Sequence, residues 1–128
     1  MIVDSSVWID FFAGRDRPHV QLPSEALLSD EEIGVPDIVR LEILSGVRKD
    51  VTLRKITSNL NALRRVAVCD DDWDEAATLY RTCRRSGVTI RSVVDCLIAR
   101  LAIRDDALLL AHDHDFVMMV PHSGLRLA

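Results

Sequence analysis

The chain lacks any long apolar run and any basic segment at its amino terminus. The residues before Asp4 form neither a basic region nor an apolar stretch with a small-residue cleavage site, so they do not resemble a secretory signal. The other apolar runs are shorter than the roughly 20 residues that a helix needs to cross a bilayer. We therefore predict a cytoplasmic protein with no membrane partner.

Cysteine, glycine and proline are also scarce. The three cysteines, Cys69, Cys83 and Cys96, form neither an even-numbered disulfide framework nor a closely spaced pair of metal ligands, which favours a reducing compartment. Five glycines and four prolines interrupt the chain at few points, and no repeat or linker divides it. At 128 residues it can bury one core, so we predict a single domain over residues 1–128.

The charge balance leans towards acid. Of the residues, 48% are hydrophobic and 28% charged, as in ordinary globular proteins, and the formal net charge is -4. This balance argues against a broad basic surface for nucleic acid, because neutralising phosphates requires clustered Lys and Arg. It is compatible with an acidic site that holds cations, since bound cations reverse the local charge.

Short apolar runs alternate with longer helical patterns, which is typical of strand–helix units around a parallel sheet. The predicted strands are Ile2–Val3, Ile33–Val35, Val66–Val68, Leu108–Ala111 and an edge strand near Leu125–Leu127. The predicted helices are Val7–Ala13, Ser24–Leu28, one opened by Pro36 and ended at Gly46, Val51–Leu63, one capped within Asp70–Asp72 and ended at Gly87, Val93–Ile103, and a turn at His112–Phe116. We therefore predict an α/β fold with a central parallel sheet.

Two aspartates follow predicted strands. In open α/β sheets, ligands bind outside the carboxyl ends of the strands, and Asp4 and Asp113 both fall there. Each of them alone is also explained as the N-cap of the helix that follows, a position that Asp prefers. Together they indicate a ligand site more strongly than either does alone.

Glu42 lies within a helix, between Leu41 and Ile43, where it should point inward or touch the core. A buried carboxylate without a partner is costly, so it needs a cation or a hydrogen-bond donor. The alternative to a functional role is a salt bridge to Arg40 or Arg48.

Asp95 is the only acid in the apolar helix Val93–Ile103. Ser92-Val-Val-Asp95 fits the pattern of a capping box, in which the fourth residue usually is Glu or Gln. A capping role and a metal-binding role are compatible, and we favour the second. Carboxylates from distant parts of a chain bind hard cations such as Mg²⁺ or Mn²⁺, which activate water for attack on a phosphodiester.

Several polar residues flank these acids. Ser5 and Ser6 are candidates to hold a water or a phosphate oxygen beside Asp4, although N-capping explains either one equally well. Arg91 precedes the Asp95 helix and is the candidate contact to substrate, whereas we expect Arg81 and Arg84 to lie on a solvated helix face.

The histidines beside Asp113 suggest a zinc site or a general base. His112 and His114 have no third ligand at a recognisable spacing, which makes zinc the weaker interpretation.

Four segments together resemble the motifs of PIN-domain ribonucleases in order and spacing, over nearly the whole chain. They are Ile2-Val-Asp-Ser-Ser-Val-Trp-Ile9, Arg40-Leu-Glu42, Val93-Val-Asp-Cys-Leu-Ile-Ala99 and His112-Asp-His-Asp-Phe116. Each motif alone is weak, but the ordered set is specific. The short chain without an added domain is similar to VapC-type toxins of toxin–antitoxin systems.

The resemblance implies roles for the acids. Asp4, Asp95 and Asp113 are expected to bind Mg²⁺ or Mn²⁺, and Glu42 to complete the catalytic cluster and orient water. Asp115 is the alternative fourth ligand, because the last motif contains two acids here.

The resemblance also implies a three-layer α/β/α sandwich, a homodimer, and a VapB-like antitoxin that blocks the site. The implied reaction is hydrolysis of RNA to a 5′-phosphate and a 3′-hydroxyl. Trp8, Phe11 and Phe12 share a helical face that could form a groove for an antitoxin helix, but core packing is the favoured interpretation. The alternative function is a non-catalytic PIN-like module that binds RNA or protein.

Overall fold

A computed structural model describes residues 1–15 and 32–128. Its four strands are β1 (Ile2–Val3), β2 (Gly34–Pro36), β3 (Arg64–Val66) and β4 (Leu109–Leu110). They form one sheet in the order β3-β2-β1-β4, with all neighbours parallel. The predicted parallel sheet is thus confirmed, and the predicted helix at Ser24–Leu28 lies outside the described residues.

The order of the strands reverses beside β1. The chain moves from β1 outward through β2 to β3, and then returns to place β4 on the other side of β1. Such a reversal opens a crevice at the carboxyl ends of β1 and β4, where α/β proteins commonly bind ligands. Asp4 directly follows β1, and Asp113 lies three residues beyond the end of β4.

Six helices flank the sheet in the described part of the chain, as expected for the predicted three-layer sandwich. They are α1 (Ser5–Phe12), α2 (Asp37–Ser45), α3 (Asp50–Asn61), α4 (Asp70–Arg85), α5 (Val93–Arg104) and α6 (His114–Met119). A 3₁₀ turn over Val120–His122 follows α6. None of the helices described is long and apolar enough to span a membrane.

The middle of the molecule is formed by α5, as its apolar sequence predicts. Leu97, Ile98 and Leu101 are almost completely buried, and α5 packs chiefly against α4. Trp8 of α1 is 1% exposed and contacts the rings of both Phe11 and Phe12. The favoured prediction of core packing is therefore correct for Trp8.

Some predicted boundaries were wrong. The third strand begins at Arg64 rather than at Val66, because main-chain pairing with β2 extends over two exposed arginines that an apolar pattern does not reveal. Pro36 ends β2 and is the N-cap of α2, so this helix begins at Asp37, one residue later than predicted. The predicted edge strand reduces to one parallel bridge between Leu109 and Leu127.

The N-cap of α4 was also assigned wrongly. It is Cys69 rather than one of the three aspartates that follow, and Asp72 accepts a 2.7 Å hydrogen bond from the backbone N–H of Cys69. Asp72 is completely buried and also accepts from Arg100 at 3.0 Å and from Arg104. This ion cluster joins α4 to α5 and so fixes the helix that carries Asp95.

Candidate metal centre

Asp4 lies at the N-terminus of α1 with 4% of its surface exposed. Its Oδ2 accepts hydrogen bonds from the Ser6 hydroxyl at 2.6 Å and from the Ser6 N–H at 3.3 Å. Burial raises the pKa of Asp4, the bonds from Ser6 partly offset that rise, and the charge of Asp113 adds to it. Asp4 is therefore both an N-cap and a member of a charged group, so its two interpretations from sequence are compatible.

Three further carboxylates meet beside it. Asp95, Asp113 and Asp115 each present an oxygen within 4.8 Å of the others. Asp95 comes from the first turn of α5, Asp113 is the N-cap of α6, and Asp115 lies in the first turn of α6. The cluster thus depends on two helices that both begin at one end of the sheet.

The raised pKa of Asp95 indicates that the acidic side chains lie close together. Burial and the charges of Asp4, Asp113, Glu42 and Asp115 together raise its pKa to about 7. Like charges this close disfavour one another's ionised forms unless a cation neutralises them. Ser92 makes no side-chain capping hydrogen bond, so the capping-box alternative for Asp95 is wrong.

Glu42 is half-buried on α2, and burial together with the charge of Asp4 raises its pKa, while the Ser5 hydroxyl partly offsets the rise. Its Oε1 is buried without a hydrogen-bond partner among the described residues. The predicted alternative, a salt bridge from Glu42 to Arg40 or Arg48, is not formed among the described residues, and Arg40 donates instead to Asn61 at 2.9 Å. Glu42 therefore borders the acidic cluster with one carboxylate oxygen unsatisfied.

Arg91 contacts the cluster directly. Its Nη2 donates to Asp113 Oδ1 at 2.7 Å, and its backbone N–H and Nε donate to Asp115 Oδ2 at 2.9 and 3.3 Å. The sequence placed Arg91 near the site but did not indicate that it binds two of the acids. No local pattern reveals this contact, because 22 residues separate Arg91 from Asp113.

The remaining candidates lie at the edge of the site. Ser5 is buried beside Glu42, and Ser6 bonds Asp4. His112 and His114 are exposed, and the only group of potential ligands found in the part of the chain that the structure describes consists of three aspartates. The zinc interpretation thus gains no support from the geometry.

The donor set fits a hard divalent cation. All potential ligands here are carboxylate oxygens, the atoms that Mg²⁺ and Mn²⁺ prefer, and Cys69, Cys83 and Cys96 are not among them. The raised pKa of Asp95 and the unpartnered Glu42 Oε1 both indicate a site short of positive charge. The residues present therefore suit such an ion.

Two of the grooves that the described residues form outside the cluster are lined largely by apolar side chains. The first is bordered by α1, α2 and α3, and its apolar floor is flanked by Arg48 and Lys49; its apolar residues are Ile9, Phe12, Ala13, Ile43, Val47 and Ile56. The second lies between α2, α4 and the start of α5, where Trp73 is 57% and Val93 62% exposed. Of the three aromatic residues of α1, Phe12 lines the first groove, whereas Trp8 is buried in the core.

The sequence of the chain is similar to that of a known protein family. A family model described as PIN domain matches residues 1–119. The chain is 35% identical over 131 residues to a VapC ribonuclease of Mycobacterium bovis and to ribonuclease VapC11 of Mycobacterium tuberculosis, covering 100% of this chain and 97% of each relative.

Two solved structures have a similar fold. One is VapBC2 from Rickettsia felis bound to a promoter DNA fragment, with a TM-score of 0.79 at 18% identity, covering 99% of this chain and 96% of that one. The other is a toxin–antitoxin complex from Klebsiella pneumoniae, with a TM-score of 0.73 at 17% identity and coverage of 90% and 88%. At these identities the likeness supports the fold alone.

Proposed function

Because the chain belongs to the PIN-domain family, and within it to the VapC ribonucleases, we propose that it is the toxin of a type II toxin–antitoxin pair. Its activity is that of a divalent-metal-dependent endoribonuclease that hydrolyses RNA phosphodiester bonds. The observation that carries this proposal is the meeting of Asp95, Asp113 and Asp115 beside Asp4 at the strand crevice. We also propose that residues 1–128 form one domain.

We assign the metal to Asp4, Asp95 and Asp113, with Asp115 as an additional ligand, and propose Mg²⁺ with Mn²⁺ as its substitute. A bound divalent cation supplies charge to the scissile phosphate and lowers the pKa of water. The chain's contribution is to hold the carboxylates at the ends of strands and the starts of helices, before the ion arrives.

Glu42 is our candidate proton acceptor. Burial and the charge of Asp4 raise its pKa, which makes it a stronger base than a solvated glutamate, and Oε1 has no competing donor in the described structure. This oxygen orients the attacking water and takes its proton. The water oxygen bonds to phosphorus as the bond between phosphorus and the 3′ oxygen breaks. The 3′ oxygen takes a proton from solvent, so the products are a 5′-phosphate and a 3′-hydroxyl.

We propose a VapB-like antitoxin as the protein partner. The groove formed by α1, α2 and α3 supports this, because its apolar floor suits the apolar face of a helix and Arg48 and Lys49 suit acidic residues beside that face. Ile43, which lines this groove, directly follows Glu42 on α2, so a segment seated there passes close to Glu42.

The second groove supports a homodimer. Trp73 and Val93 leave a large apolar surface in solvent, and such surfaces usually mark contacts between proteins. The groove includes Val94, the residue before Asp95, so a second copy placed there would stand close to the site.

The test is cleavage of total cellular RNA by the purified, antitoxin-free protein. Wild type is incubated with Mg²⁺, with Mn²⁺ and with EDTA, beside Asp4→Asn and Asp95→Asn. Asp106→Asn is the matched control, because Asp106 is an exposed aspartate whose side chain pairs with Arg126. We expect discrete fragments with a 5′-phosphate from wild type and control, and intact RNA with EDTA or either site variant.

Intact RNA in every lane, with stoichiometric protection of RNA by folded protein, would favour the alternative of a non-catalytic module that binds RNA or protein. Near-normal turnover by Asp4→Asn or Asp95→Asn would instead show that the assigned site is wrong while nuclease activity remains.

A further inference from the structure

Arg91 lies in the loop between α4 and α5, four residues before Asp95. The neighbouring Ile90 is 2% exposed, and Phe116, next to Asp115, is 1% exposed. Both backbones are thus held by core side chains. The Arg91 N–H can therefore donate to Asp115 Oδ2 without ordering a mobile segment.

The guanidinium then spans both aspartates of the last motif. Asp113 Oδ1 accepts from Arg91 Nη2 and from the Asp115 N–H, at 2.7 and 2.9 Å. Asp115 Oδ2 accepts from the Arg91 N–H and Nε, at 2.9 and 3.3 Å. One oxygen of each carboxylate is thus occupied, and the second oxygen has no hydrogen bond within the described residues.

The ion pairs of Arg91 contribute little to the stability of the fold. The Arg91 side chain is 73% exposed, and exposed ion pairs contribute little because water and salt screen them. Its effect is directional: two donors from one planar group restrict the rotation of two neighbouring carboxylates. Both carboxylates belong to the group that converges with Asp95.

We propose that Arg91 is a positioning residue, a clamp that holds Asp113 and Asp115 with one oxygen each turned towards Asp95 for the cation. This inference rests on the proposed function. Groups that orient metal ligands typically change metal affinity by about 10- to 100-fold when they are removed. In this role Arg91 acts through the two aspartates. The role differs from the direct contact to substrate that the sequence predicted for Arg91.

The experiment measures Mn²⁺ binding by isothermal titration calorimetry on the full chain, after EDTA treatment and its removal. Arg91→Gln removes the guanidinium and keeps the backbone donor, and Arg91→Lys keeps the charge but loses the planar pair of donors. Arg126→Gln is the matched control, since Arg126 is exposed and pairs with Asp106 at the same 2.7 Å, outside the cluster.

We expect Arg91→Gln to weaken Mn²⁺ binding by about tenfold or more, Arg91→Lys to recover part of the loss, and Arg126→Gln to match wild type. Melting temperatures in EDTA should agree among all four proteins. If Arg91→Gln binds Mn²⁺ as tightly as wild type, Arg91 forms only a surface ion pair. If the variant binds Mn²⁺ more tightly, Arg91 competes with the metal for the two aspartates. Either result overturns the clamp. If wild type binds no Mn²⁺, the metal site of the proposed function fails with it.

Discussion

The Ser6 hydroxyl donates a 2.6 Å hydrogen bond to Oδ2 of Asp4, the same oxygen that caps α1 through the Ser6 N–H. One oxygen of Asp4 is therefore committed to the helix. Because both bonds favour the ionised carboxylate, they oppose the rise in the pKa of Asp4 that burial causes.

Replacing Ser6 by Ala should therefore raise the pKa of Asp4 further. Cation binding needs the ionised form, so the midpoint of Mn²⁺ affinity against pH should move upward, with the largest loss at the acid end. Ser6→Thr keeps the hydroxyl and serves as the control. Identical profiles for Ala and Thr variants, measured by calorimetry from pH 5.5 to 8, would show that the hydroxyl does not affect Asp4.

Asp95 should destabilise the metal-free protein at neutral and alkaline pH. Its folded pKa is about 7, above the ordinary 3.8, so the folded state holds the proton more tightly and the cost of the charge is complete above pH 7 and absent below about 3.8. Asp95→Asn should consequently have a higher melting temperature than wild type in EDTA at pH 8. This advantage should shrink as the pH falls towards 5.

The same variant should respond differently to metal. Mn²⁺ should raise the melting temperature of wild type, because the ion binds only the folded state, and raise that of Asp95→Asn much less. Asp106→Asn should follow wild type in both series. In EDTA at pH 8, a melting temperature of Asp95→Asn below that of wild type would contradict the crowding of the acids.

Much of this site could be predicted from the sequence, because its acids follow recognisable local patterns. Asp4 and Asp113 follow strands, and Asp95 is the single acid of an apolar helix, so strand ends and helical periodicity identify them. The contacts of Arg91 form because two segments that are distant in sequence meet in the fold. Hydrophobic periodicity does not predict which distant segments meet. The start of β3 was missed for a similar reason: pairing with β2, rather than the character of Arg64 and Arg65, determines it.

The buried Asp72 should be a structural residue rather than a catalytic one. Although burial raises its pKa, the Cys69 N–H, Arg100 and Arg104 together hold it below its usual value. Asp72→Asn leaves Arg100 without its carboxylate and Arg104 with Asp105 alone, and should lower the free energy of unfolding by about 3 kcal/mol, measured by urea denaturation. Asp71→Asn, at an exposed position of the same helical turn, should cost under about 1 kcal/mol.

The contribution of Asp72 should also depend on pH. Since its folded pKa is lowered, the stability that it provides is complete above the unfolded pKa near 3.8 and is lost as the pH falls through the folded value. The difference between wild type and Asp72→Asn should therefore stay constant from pH 8 to 5 and decrease only in stronger acid. A difference that disappears already at pH 6 would assign the stabilisation to another group.

The exposed Trp73 should hold two copies of the chain together. It lies on α4 at the edge of the groove that α2 and α5 complete, so Trp73→Glu places a charge where the proposed dimer buries an aromatic ring. Multi-angle light scattering should then report a dimer for wild type and a monomer for the variant. Val51→Glu is the matched control, because Val51 is 70% exposed on α3 and lies outside the groove. A dimer that survives Trp73→Glu but dissociates in Val51→Glu would move the contact between copies to α3.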